Sequence, residues 1–337
     1  MDNKLDNIIS LRNDIARDHQ DNIPSISLHT YIQAATSQNT RRAYQQDIRH
    51  FLHSGGLLPA TPDTVISYLQ HFAPILNSRT LARRLTAIKH WHTCQGFTDP
   101  TAHPLVRKAL TGIKNIHGRP KDKAQALQME QLITMTAFLK NRGELIDLRN
   151  NAMLQVGFFG AFRRSELTAT HLEHVCYVPE GAEILIPRSK TDQGGEGLIC
   201  AIPYGDEILC PVTALKNWCE KACITKGPIF RRITKGGNIS HAAIDAHHIN
   251  IIIKEIALRC GLPNPEQYSS HSLRRGFATT ASQQGASLSS IMQQGRWQHT
   301  GTAMGYMEEG KRFEGNAAGL ILRKRDKTQD NSDEKKV

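Results

Sequence analysis

Apolar positions recur along most of the chain with the helical period, broken by a few short β-like runs. From residue 26 to about 115 the pattern is helical throughout. Tyr44, Ile48, Phe51 and Leu52 form a stripe behind Thr40 that stops at Gly55-Gly56. Thr61-Pro62-Asp63 opens the next segment with a capping hydroxyl and a proline near the first turn, and its apolar face is Val65, Ile66, Leu69 and Phe72. Ser78 opens a third helix with Leu81, Leu85, Ile88 and Trp91 on one side and Arg79, Arg83, Arg84 and Lys89 on the other, ended by Gly96. Residues 1–25 are polar with a weak stripe of Leu5, Ile8, Ile9 and Ile15, and read as a flexible arm.

The periodicity lapses across 114–126, where Gly118, Pro120 and the basic residues Lys114, Arg119, Lys121 and Lys123 mark a linker, placed at 116–126. Beyond it, 129–139 and 145–159 read as helices, the second apolar enough to be buried. Short β-like runs follow at 183–187 and 197–202, a hairpin around the turn-rich run Ser189 to Gly195. Helices return at 212–223, 242–259, 273–284 and 289–294, and 326–337 reads as a charged, frayed tail. The fold expected is a helical domain at 26–115 followed by a mainly α domain with a small β-sheet (α+β) at 127–325.

Composition sharpens this in two respects. A length of 337 residues, 39% hydrophobic and 22% charged, suits two ordinary globular domains rather than a disordered or fibrous chain. With 42 Lys and Arg against 31 Asp and Glu, the formal charge is +11. That excess suits a polyanionic partner, because each cation beside a phosphate releases condensed counterions. The competing reading is a basic protein whose cationic helix faces are merely solvated. The seven cysteines include no C-x-x-C pair, and Cys219 and Cys223, one helical turn apart, lack a second pair. Buried free thiols in a reducing compartment are expected, with no metal. The first residues are polar, and no run approaches the roughly 18 apolar residues of a membrane span. A soluble, cytoplasmic protein without membrane contact is expected, nucleoid-associated if bacterial or phage.

The second half carries an ordered series of chemically capable residues. Gly160-Ala161-Phe162-Arg163-Arg164-Ser165-Glu166-Leu167 follows the buried helix, and Lys190 sits at the hairpin tip. His271 and Arg274, three apart in His271-Ser272-Leu273-Arg274-Arg275, share a helix face. Gly295-Arg296-Trp297-Gln298-His299 follows, and then Tyr306. Each residue has an ordinary structural explanation: a surface ion pair for the arginine and Glu166, a solvated turn lysine, a core tryptophan. In combination they resemble the tyrosine recombinases, or phage-type integrases. That family carries an arginine in G-x-x-R-x-S/G-E-L, a lysine on a β-turn, an H-x-x-R pair, a His or Trp, and a Tyr, in this order. The resemblance covers roughly 125–322 by motif and 26–115 by helical layout only. The spacing from His271 to Trp297 to Tyr306, with Trp in place of the commoner His, is similar to the Cre-type members.

The resemblance implies a catalytic set of Arg163, Lys190, His271, Arg274, Trp297 and Tyr306, supported by Glu166 and His299. Tyr306 would attack a DNA phosphorus and hold a 3′-phosphotyrosyl ester. Arg163 and Arg274 would grip the non-bridging oxygens, a task for a planar, permanently charged fork. Lys190 would protonate the departing 5′-oxygen, His271 would move a proton near Tyr306, and Trp297 would donate its indole N–H, with His299 as the alternative donor. Glu166 would orient an arginine or the hairpin, and Arg163 is chosen over Arg164 because Glu166 and Leu167 fix the register. Two arginines meet the growing phosphate charge, so the set asks for no metal or cofactor, and there is no Walker-type run.

The domains at 26–115 and 127–325 would then be the DNA-binding and catalytic halves of a clamp around duplex DNA. Arg41, Arg42, Arg79, Arg83, Arg84, Lys89, Lys121 and Lys123 would touch phosphates. The partners implied are double-stranded DNA with specific target sites and a homotetramer that passes through a Holliday junction. The apolar patch Phe313, Ala317, Ala318, Leu320 and Ile321 would dock on a neighbour or on its own domain. The alternatives are a type IB topoisomerase or telomere resolvase using a similar site, and an inactive DNA-binding regulator on the same scaffold.

Overall fold

Ser37, Thr61 and Asn77 each accept a backbone N–H from the first turn that follows them, and each opens a helix. The computed structural model describes residues 30, 35–120, 124–187, 197–310, 317–318 and 321–322. The arm at 1–25, the charged tail, Lys121, Lys123 and the hairpin tip with Lys190 lie outside the described residues. The chain divides into two compact units, 1–121 and 122–337.

In the first unit, α1 (Gln38–His53), α2 (Pro62–Phe72), α3 (Ser78–Cys94) and α4 (Pro104–His117) surround a core of Phe51, Val65, Leu69, Leu81, Leu85, Ile88 and Val106. The three sequence stripes supply all of these but Val106. One basic position departs from the pattern. Arg84 is drawn inward rather than standing on an open cationic face: its side chain is 11% exposed and its Nη1 donates to Tyr68 Oη at 2.7 Å. The cause is Asp47, a 3%-exposed carboxylate between α1 and α3 that needs cations beside it; Arg83 Nη2 stands 2.9 Å away and Arg84 Nε 3.6 Å. Burial raises the Asp47 pKa, and the two arginines offset only part of that.

The second unit is built around α6 (Leu145–Phe159), which is buried on nearly every side and packs against α5 (Met129–Arg142), α8 (Pro211–Lys221) and α10 (Ser270–Gln283). The second half of α6 is apolar on almost every side, as suits a helix in the middle of a domain, whereas its first half buries Asp147, Arg149, Asn150 and Asn151. After it come α7 (Arg164–Ala169) and an antiparallel sheet ordered β1 (Val175–Val178), β2 (Gly181–Ile186), β3 (Leu198–Pro203). Ile186 pairs with Leu198, so the expected hairpin is present, with β1 as an additional edge. A second pair, β4 (Arg231–Ile233) with β5 (Ile239–Ala243), precedes α9 (Ala246–Arg259). The helix expected from 242 therefore starts four residues later: β5 takes up the first of those residues, and Asp245 caps the helix through His247 N–H. After α10 come α11 (Leu288–Gly295) and α12 (Thr300–Gly310).

Close packing fixes α10, the helix that carries His271 and Arg274. A Cβ on Gly276 would come within 2.0 Å of the Leu127 carbonyl oxygen, so the helix lies against the strand-like segment before α5 with no room for a side chain. Trp218 on α8 is fully buried and donates its indole N–H to the Ile229 carbonyl at 2.9 Å. Trp218→Ala is expected to lower unfolding free energy by about 3–5 kcal/mol, read as a shift in the urea midpoint.

All seven cysteines are free, but only Cys200 and Cys219 are buried; Cys94, Cys176 and Cys223 are exposed. The expectation of buried thiols is corrected by position: Cys176 sits on edge strand β1, and Cys94 ends α3. Among the described residues no helix is long and apolar enough to cross a membrane, and no three His, Cys, Asp or Glu are grouped to hold a metal.

Candidate active site

A tight turn after α6 delivers the first arginine. Gly160-Ala161 reverses the chain, with Ala161 at φ +46°, and Arg163 becomes the residue before α7. Glu166, one turn on, accepts the Arg163 backbone N–H at 2.9 Å and Arg163 Nη1 at 2.7 Å. This reciprocal arrangement ties Glu166 to Arg163, while Arg164 begins α7. The Arg163 side chain stays 20% exposed, whereas Glu166 is 1% exposed.

Arg274 comes up from α10 and is buried. It donates to the carbonyls of Ala161 and Gly295, and its guanidinium lies 4.2 Å from the Trp297 ring centroid. Burial pushes its pKa down to about 9; Arg163 and Arg296 push the same way, while Glu166 and Tyr306 pull it back. Glu166 moves oppositely in effect. Burial alone would raise its pKa, but the Arg296 charge and the Arg163 hydrogen bonds outweigh that and hold it below the ordinary 4.5. A carboxyl whose folded value lies below its unfolded one stabilises the fold above the unfolded value and loses that contribution as pH falls through the folded value. Glu166→Gln is therefore expected to flatten the fall of thermal midpoint on acidification below pH 4.5, read by melting at a series of pH values.

The remaining members gather against these cations. Trp297 follows α11, is 9% exposed, and its ring lies 5.8 Å from that of Tyr306. Tyr306 stands half-buried on α12 with its Oη 3.2 Å from His271 Nε2. The Arg275 guanidinium sits 5.6 Å from the Tyr306 ring centroid and donates to the Ala124 carbonyl, a packing role in keeping with its burial. His299 is exposed ahead of α12, so the contacts to Arg274 and Tyr306 are made by Trp297. The result is a phenol beside an imidazole, facing a cluster in which Glu166 is shared by two guanidiniums and Arg274 adds a third. Such an excess of buried positive charge calls for an anion.

In the first unit, Arg79 donates to the Arg119 carbonyl at 3.1 Å and Arg41 to the Thr36 carbonyl at 3.1 Å. Arg83 and Lys89 keep 49% and 59% of their side chains exposed, and Arg42 is exposed. Arg41, Arg49, Tyr44, His90 and Trp91 line a groove of about 440 Å³ between α1 and α3.

The profile of the phage integrase family matches residues 125–312, and that of the phage integrase N-terminal SAM-like domain matches residues 28–94. The chain belongs to the phage integrase family. It is a tyrosine site-specific recombinase. It is 33% identical over 328 residues to an integrase/recombinase XerD homologue of Selenomonas ruminantium, covering 95% of both chains. The XerH site-specific recombinase, solved bound to palindromic difH substrate as a post-cleavage complex, shares its fold with a TM-score of 0.62. That match is 15% identical and covers 84% of this chain and 79% of the other. The lambda integrase dimer bound to a COC′ core site gives a TM-score of 0.55 at 14% identity, covering 90% and 82%.

Within this recombinase, five of the six residues singled out as catalytic fall in the described unit and stand together; Lys190 lies outside the described residues. One member of the cluster was not singled out. Arg296, 7% exposed, places its Nη2 3.0 Å from Glu166 Oε2 and its carbonyl 3.3 Å from Arg163 Nη2. Its only sequence signal is its place between Gly295 and Trp297, which says nothing of burial.

Proposed function

We propose that Tyr306 is the nucleophile of strand cleavage. Its oxygen bonds to the scissile phosphorus, the bond from phosphorus to the 5′-oxygen breaks, and the DNA remains as a 3′-phosphotyrosyl ester with a free 5′-hydroxyl. Attack by another 5′-hydroxyl reverses the step, so rejoining consumes no nucleotide. Arg163 and Arg274 hold the non-bridging oxygens, and Trp297 donates its indole N–H to one of them. His271 takes the Tyr306 proton or passes it to the phosphate, and Lys190 protonates the departing 5′-oxygen. The observation that carries this reading is the 3.2 Å approach of Tyr306 Oη to His271 Nε2 beside an excess of buried guanidinium charge.

The finer assembly follows from the same reading. The two units close around a duplex that carries a specific target site, with Arg42, Arg83, Lys89, Lys121 and Lys123 against its phosphates. Four protomers hold two sites in the cytoplasm and exchange strands through a Holliday junction. Ala317, Ala318 and Ile321 are exposed, which supports docking of that segment on a neighbouring protomer.

The polarity of cleavage tests the chemistry. A duplex from the DNA flanking the protein's own gene, nicked beside the cleavage position and labelled on either fragment, is incubated without divalent metal. The fragment on the 5′ side of the cut should be retained by the denatured protein through its 3′ end. Retention of the fragment on the 3′ side through a 5′-phosphate would contradict the assignment.

A further inference from the structure

Glycine would make the turn between α11 and Trp297 at less conformational cost than the residue that makes it. Arg296 caps α11 at φ +53° and ψ +46°, the left-handed region where a side chain is disfavoured. What stands there is a long cation with only 4% of its side chain exposed. Apart from the Gln294 carbonyl on its own helix, that side chain finds the hydrogen-bond partners of its Nη atoms on the segment bearing Arg163. It reaches Glu166 Oε2 and the Gly160 carbonyl at 3.0 Å, the Ala161 carbonyl at 3.3 Å and the Gln294 carbonyl at 2.8 Å, with Phe162 beneath it at 4.9 Å. The same residue's carbonyl accepts Arg163 Nη2 at 3.3 Å.

We infer that Arg296 is a positioning residue for phosphate transfer, fixing the Arg163 fork through Glu166 and through its own backbone carbonyl. The inference rests on the reading of Arg163 as a phosphate ligand and deepens it. Two physical points carry it. First, Glu166 with Arg163 alone would be a neutral pair, satisfied internally and holding Arg163 back from an anion. Arg296 on the second carboxylate oxygen shares that negative charge, so Arg163 keeps a net field directed outward at its 20%-exposed position. Second, the left-handed turn aims the Arg296 carbonyl at Arg163 Nη2 while the side chain turns back to Glu166. One residue therefore restrains both ends of the fork. A donor held in place before the substrate arrives loses little on reaching the transition state. Both Arg296 Nη atoms are already taken by Glu166 and three backbone carbonyls, so it acts through Arg163 and not on the phosphate.

The test pairs a readout without DNA with a kinetic one. In ¹⁵N spectra of protein labelled at arginine, Arg163 should show separate, slowly exchanging Nη signals in the wild-type chain and shifted Nη signals in Arg296→Gln, where Glu166 pairs with Arg163 alone. On the nicked duplex that the wild-type chain cleaves, adduct formation should slow about 10²-fold in Arg296→Gln with DNA affinity kept. The same substitution should slow it no further in an Arg163→Ala background. Where Arg296→Gln does not melt cooperatively, Arg296→Lys is read in its place: the cation kept against Glu166 should hold the rate within about tenfold of the wild-type chain, and a loss of about 10²-fold there overturns the charge sharing. Unchanged Arg163 signals, an unchanged rate in Arg296→Gln, or an undiminished loss in the Arg163→Ala background each overturns the inference. An Arg163→Ala chain that cleaves at the wild-type rate defeats the underlying reading instead, whereas an impaired Arg163→Ala beside an intact Arg296→Gln defeats the inference alone.

Discussion

Tyr306→Phe is expected to abolish covalent capture of DNA while the protein still folds and binds its duplex. The substitution removes one oxygen and keeps the ring that packs 5.8 Å from Trp297 and beneath Arg275. Tyr306 Oη meets a histidine at a half-exposed position, so its loss strands no deeply buried group. The chemical loss is of another order. Without the oxygen there is no ester to form, and the adduct should fall by at least about 10⁴-fold, as it does when a nucleophile is deleted from a preorganised site. A denaturing gel of the nicked duplex after incubation measures the adduct, and a mobility shift measures the binding. An adduct of undiminished yield in Tyr306→Phe would place the nucleophile elsewhere.

Arg274→Lys slows cleavage by roughly 10²–10³-fold and leaves DNA affinity nearly as it was. The charge survives this change, but the geometry does not. Arg274 spreads one guanidinium between the Ala161 and Gly295 carbonyls and the Trp297 face, and an ammonium has neither the fork nor the plane to do so. Burial already pulls the Arg274 pKa down to about 9, which measures how poorly its charge is compensated before DNA arrives. A phosphodiester supplies the missing anion, most strongly where charge builds on the oxygens in the transition state. Affinity, by contrast, is spread over many phosphates, and one of them is a small share. Single-turnover cleavage set beside equilibrium binding separates the two. An equal fall in both would mean that Arg274 serves binding and not the chemical step.

The apolar stripes were the most legible part of the chain, because each helix of the first unit faces one core: Phe51, Val65, Leu69, Leu81, Leu85 and Ile88 were readable as such and are buried. The hairpin was legible because two short apolar runs, 183–187 and 197–202, flank the turn-rich stretch 189–195. Strand β5 was not. Its run Ile-Ser-His-Ala-Ala carries one large apolar residue, and its pairing with Arg231–Ile233 is tertiary information. Arg84 and Arg296 were missed as interior residues for a common reason. Each turns inward toward a buried carboxylate, Asp47 in one case and Glu166 in the other, and no local pattern reveals that. The order of Arg163, His271, Arg274, Trp297 and Tyr306 picked out residues that stand together in the fold, because their combination is improbable even though each is ordinary alone.

The most direct test of Tyr306 as nucleophile is to digest the trapped protein–DNA adduct with nuclease and protease and locate the residual nucleotide by mass spectrometry. A peptide bearing a 3′-nucleotide phosphate on Tyr306 is the expected result. The same phosphate on any other tyrosine, or on a serine, would contradict the account.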